Sequence, residues 1–92
     1  DPVHLTAELI RCHSVTPEDG GVMGLTQKWL EGLGFSAHRL VFSEAGTPDV
    51  ENLYARLGAA GRNFCFAGHL DVVPVGSARA WSVPPFAAEI VD

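Results

Sequence analysis

Phe64-Cys65-Phe66-Ala67 is apolar at four successive positions and runs directly into Gly68-His69-Leu70-Asp71-Val72-Val73-Pro74. An extended segment with no polar face has to be covered on both sides, which predicts an interior strand over Arg62 to Ala67 in an α/β fold. The polar chemistry sits at its exit. Side chains alternate along extended backbone, so His69 and Asp71 project to one side if the strand persists, roughly 6 to 7 Å apart at the backbone. An imidazole beside an acid suits a metal ligand with its orienting carboxylate, because such a partner fixes the tautomer and raises the basicity of the ligating nitrogen. Taken alone, the same two residues suit a structural role somewhat better, with His69 hydrogen-bonded at a strand end and Asp71 beginning a turn. Gly68 leaves room for close approach of a backbone or a substrate.

The segments before this run supply its cover. Asp1-Pro2 reads as an N-cap followed by proline at the first turn, opening a helix whose apolar residues Val3, Ala7 and Ile10 carry it to about Arg11. In Ser14-Val15-Thr16-Pro17-Glu18-Asp19, Thr16 is placed to cap a second helix and Pro17 to begin it. Gly20 and Gly21 weaken that turn and let the start slip to about Gly21. Val22, Leu25, Trp29 and Leu33 then form an amphipathic stripe, a packing role for Trp29 rather than a ligand platform. Gly34 suits a left-handed cap, Phe35 to Phe42 a strand, Ser43 to Asp49 a loop. Val50 to Leu57 reads as a second strand, with Leu53, Ala55 and Leu57 on a buried face. Gly58-Ala59-Ala60-Gly61 then turns it back as a hairpin into the interior strand. Trp81 and Pro84-Pro85-Phe86 form an aromatic and proline cluster, and Ala87 to Val91 begins another strand. His4, His13 and His38 have no acidic or cysteine neighbour at ligand spacing and read as surface or satisfied histidines.

Composition narrows the partners. Hydrophobic residues make up 47% and charged residues 18%, a globular balance. A net charge of −5 with only six scattered Lys and Arg argues against nucleic acid, whose phosphates call for clustered cations. No apolar run approaches a membrane span, and no leader pattern opens the chain. Cys65 reads as a small core hydrophobe. With Cys12 it suggests no disulfide framework, and the expected compartment is a reducing cytoplasm. The first residue is Asp1, so the sequence reads as trimmed.

Phe66-Ala67-Gly68-His69-Leu70-Asp71-Val72-Val73-Pro74-Val75-Gly76, with Trp81-Ser82-Val83-Pro84-Pro85-Phe86-Ala87-Ala88-Glu89-Ile90 after it, resembles the first metal-site segment of the zinc aminoacylase and carboxypeptidase family. Leu9 to Pro17 is similar to the family's opening helix and its Ser-x-Thr-Pro exit, and Asn52 to Gly58 to the strand before the metal segment. The resemblance implies an α/β fold, the N-terminal part of a three-layer α/β/α catalytic domain: two helices, then a mixed sheet with a β-hairpin. Residues 1–92 would form one truncated portion of that domain, with no second domain. It also implies two zinc ions per active site, cobalt being possible, with His69 a metal ligand and Asp71 its catalytic support. Within the family the match is nearest to the branch that hydrolyses the amide of N-succinyl-LL-2,6-diaminopimelate to succinate and the diamino acid, on the route to lysine.

The implied partner is a small-molecule substrate, with neither nucleic acid nor membrane, and a homodimer formed through a downstream domain. Leu70 stands where threonine is common and Val75 where proline is common. The family's bridging aspartate and catalytic glutamate have no counterpart here, so the 92 residues alone are expected to be inert. Acetylornithine deacetylases, aminoacylases and dipeptidases share Gly-His-x-Asp. A non-catalytic α/β binding module is the alternative from a different class.

Overall fold

The computed structural model describes all 92 residues, in two compact units: Asp1–Val22 together with Leu70–Asp92, and Met23–His69.

In the first unit, helix α1 spans Pro2–Arg11. Asp1 caps it through its carboxylate, which accepts the Val3 N–H at 3.0 Å, and Pro2 occupies the first turn, where a missing donor is not needed. Arg11 sits in the last turn, favourable for the helix dipole, and pairs with Glu8 at 2.6 Å. At Cys12 the backbone turns extended (φ −77°, ψ 122°) and the helix stops.

Helix α2 spans Val22–Gly32 and starts later than Thr16-Pro17 suggests. Gly20 and Gly21 take φ of +60° and +88°, outside the helical region, so the helix forms only after them. Thr16 does not cap it. Its N–H is taken by the Val72 carbonyl at 3.1 Å, and Asp19 serves the helix start instead, through its side chain to the Gly21 N–H (2.8 Å) and its carbonyl to the Val22 N–H (3.1 Å). Along the stripe Val22 is buried, Leu25 and Trp29 are half-buried, and Leu33 is exposed.

The C-terminus of α2 follows the sequence closely. Gly34, at φ +93°, donates to the Glu31 carbonyl, and Phe35 donates to Leu30, both at 3.0 Å. This paired return of two N–H groups through a left-handed glycine is the Schellman arrangement.

Strands β1 (Ser36–Phe42) and β2 (Val50–Arg56) pair antiparallel, with Ser36 opposite Arg56, Arg39 opposite Leu53 and Phe42 opposite Val50. Along β2 the half-buried residues are Glu51, Leu53 and Ala55, alternating with exposed Asn52, Tyr54 and Arg56. Leu57, expected on the buried face, is exposed, because the strand ends at Arg56. Arg39 on β1 ties the ribbon to α2, with Nε donating to Gln27 at 2.8 Å and a terminal nitrogen to Glu51 at 3.1 Å.

The sheet stops at these two strands. The expected hairpin through Gly58 to Gly61 and the interior strand Arg62 to Ala67 do not form, and the mixed sheet reduces to an antiparallel pair. A strand apolar on both faces needs a ladder partner and cover on two sides. Neither is supplied here, and Phe64 and Phe66 are 85% and 90% exposed. Their rings meet edge to face instead, with centroids 5.1 Å apart. Cys65, expected in the core, is exposed for the same reason.

The C-terminal part of the first unit holds a short 3-10 turn, Ala78–Ala80, and the Trp81 indole N–H donates to the Val75 carbonyl at 3.0 Å. Phe86 stacks on His13 at 4.2 Å between ring centroids. The expected strand from Ala87 is absent: Ala87 closes a turn on Pro84 and Ala88 takes φ +54°, which breaks any extended run.

Candidate functional site

His69 is the last residue of the second unit, and Leu70 opens the C-terminal part of the first. Neither His69 nor Asp71 lies on a strand, so the alternation expected to aim both to one side has no ladder behind it. Both are exposed: the imidazole is not turned into a core. One residue later, Val72 forms a parallel bridge with Val15.

That bridge is the main feature around Asp71. The Val72 N–H donates to the Ser14 carbonyl at 3.0 Å, and the Thr16 N–H donates to the Val72 carbonyl at 3.1 Å. The Ser14 hydroxyl donates to the Leu70 carbonyl at 2.9 Å. Ser14 is the buried polar residue of the chain, 3% exposed, as Val22 is its buried apolar one. A hydroxyl so placed offsets its own desolvation, whereas leaving it unpaired would cost about 1 to 3 kcal/mol. Ser14 opens the segment expected to lead into the second helix. The signal for the bridge was faint: Ser14-Val15-Thr16 places a β-branched residue between two hydroxyls, a pattern that suits an extended triplet.

The metal chemistry expected of His69 finds no complete ligand set in these residues. No group of three or more His, Cys, Asp or Glu side chains gathers where an ion could be held. A zinc site needs three or four donors, and no such set converges among these residues. A groove of about 340 Å³ lies against α1, lined by Pro2, Val3, Ala7 and Ile10 and by Ala88 to Ile90. It is apolar apart from Thr6 and Glu89, and it includes neither His69 nor Asp71.

Succinyl-diaminopimelate desuccinylase of Parvibaculum lavamentivorans is 63% identical to the chain over all 92 residues. The protein of the same name in Rhodospirillum centenum is 62% identical, and that of Bradyrhizobium sp. (strain BTAi1) 52%, again over all 92. The chain resembles the succinyl-diaminopimelate desuccinylases along its entire length. It spans about a quarter of the length of these curated relatives: 23% of the first and 24% of the other two. No family model matches. The desuccinylase likeness thus takes in the His69 and Asp71 string, the Ser14 bridge that holds its far side, and both helices. No helix is long and apolar enough to cross a membrane.

Proposed function

We propose that the chain is the first metal-site segment of a di-zinc amidohydrolase that cleaves N-succinyl-LL-2,6-diaminopimelate to succinate and LL-2,6-diaminopimelate. The observation that carries this reading is the identity of 50% or more to several desuccinylases over all 92 residues, a span that contains Gly68-His69-Leu70-Asp71. In the whole enzyme His69 is one zinc ligand, and Asp71 orients it as the acidic partner that such ligands keep. The ions, zinc with cobalt possible, would supply Lewis acidity and an acidified water to amide hydrolysis. The 92 residues carry part of a ligand set and no general base of their own, so alone they are inert.

In the whole protein these residues form the opening of a three-layer α/β/α domain, in which Phe64 to Ala67 gains the neighbours that its two apolar faces require. The enzyme works in the cytoplasm as a homodimer held by a further domain. The test is a substrate comparison in full-length protein: release of succinate from N-succinyl-LL-2,6-diaminopimelate should exceed release of acetate from N-acetylornithine by orders of magnitude. Preference for the acetylated substrate would move the protein to a neighbouring branch, and no zinc-dependent hydrolysis of either would sink the desuccinylase reading.

A further inference from the structure

The geometry points to Ser14 as a positioning residue for Asp71, an inference that rests on the proposed role of Asp71 beside a zinc ligand. Between the planar Leu70–Asp71 and Asp71–Val72 peptide groups the only free backbone torsions are φ and ψ of Asp71. Ser14 ties both planes. Its hydroxyl donates to the Leu70 carbonyl at 2.9 Å, and its own carbonyl accepts the Val72 N–H at 3.0 Å. With both planes held to one buried residue, the two torsions are restrained, and with them the direction in which the Asp71 side chain leaves the backbone. Thr16 adds a third tie through Val72 and keeps the pair in register.

The hydroxyl is the separable part of this clasp. The Ser14 carbonyl bond survives any side-chain substitution, whereas the Leu70 carbonyl is held by the side chain alone in this pair. An orienting carboxylate is effective only while its angle to the ligand is kept, and outer partners of metal ligands are sensitive to small displacements. Ser14 thus acts on the zinc ligand through Asp71, without touching substrate or metal.

The experiment compares Ser14→Thr and Ser14→Val in the full-length protein, a pair nearly equal in shape that differs in the hydroxyl. Ser14→Thr should match wild type, whereas Ser14→Val should lose about tenfold in kcat and in zinc affinity, with KM within about twofold, the range typical of a disturbed outer partner. Zinc affinity is read by competition with a chromophoric chelator, and the zinc-free unfolding midpoints of the two variants establish that both are folded. Ser14→Ala replaces Ser14→Val should the latter fail to fold. Equal kcat and equal zinc affinity in the two variants would overturn the inference, as would a loss confined to KM. If wild-type protein neither binds zinc nor hydrolyses the succinyl amide, the desuccinylase reading has failed separately. Amide exchange at Asp71 and Val72 then decides on the clasp: faster exchange in Ser14→Val than in Ser14→Thr upholds it, and equal exchange overturns it.

Discussion

A Cβ atom at Gly20 would lie 2.5 Å from the carbonyl carbon of His13, and 2.6 and 2.7 Å from its oxygen and nitrogen. The obstacle is backbone and cannot swing away. Gly20 also sits at φ +60°, so an L side chain there meets both a torsional and a steric penalty. Gly21, at φ +88°, has nothing within 4 Å and meets only the first.

The expected order of stability in the full-length protein is therefore wild type, then Gly21→Ala, then Gly20→Ala. The Gly21 change should cost about 1 kcal/mol and the Gly20 change at least twice that. Denaturant midpoints at constant m-value check the ranking. Equal midpoints for the two variants would mean that the close approach to His13 is relaxed without cost.

Arg39 joins Gln27 and Glu51, but its side chain and that of Glu51 are 36% and 32% exposed. Water and salt screen such a pair, so Arg39→Ala should cost no more than about 1 kcal/mol. Adding salt should shrink the gap between variant and wild type in denaturant melts. A loss of several kcal/mol would show that the link between β1 and α2 matters far beyond its exposure.

Zinc titrated into the isolated 92 residues should give no tight stoichiometric binding in a calorimeter, since no three donors converge. A nanomolar site would contradict this. In the full-length protein His69→Ala should strip metal and most of the activity. Asp71→Ala should lower turnover by about 10- to 100-fold with less metal lost. Normal turnover in both variants would remove these residues from the site.

Cys65 is exposed, whereas Cys12 is half-buried with its sulfur 3.5 Å from the Glu8 carbonyl. Iodoacetamide should therefore modify Cys65 first in the isolated chain, as mass spectrometry of the digest would record. In the full-length protein, where Phe64 to Ala67 is proposed to be covered, the order should reverse. Rapid labelling of Cys65 in both forms would argue against an interior place for that segment.

Features decided within a few residues were legible from the sequence. The Asp1 cap and Pro2 of α1, the left-handed Gly34 and the alternation of Leu53 and Ala55 along β2 all came through, because each depends on neighbours close in the chain. The start of α2 falls at Val22, one residue past the slip to about Gly21 that the two glycines allow, whereas the capping role expected of Thr16 was lost to Val72, a partner that nothing near Thr16 announces. The third strand failed for a related reason: Phe64 and Phe66 express a need for cover, not where the cover lies. At the candidate site His69 and Asp71 stood out as a string, whereas Ser14 acquires meaning only through Leu70, 56 positions away.

The outer rim of β2 and the bare phenylalanines beyond it bear on how the chain behaves in solution by itself. Unpaired N–H and C=O groups on a ribbon rim are a template for cross-strand growth, and a short hydrophobic stretch without internal charge is the kind of seed that stacks into fibrils. Arg62 on one flank and Asp71 on the other are the charges that would slow such stacking, so neutralising them should turn a dilute sample turbid sooner.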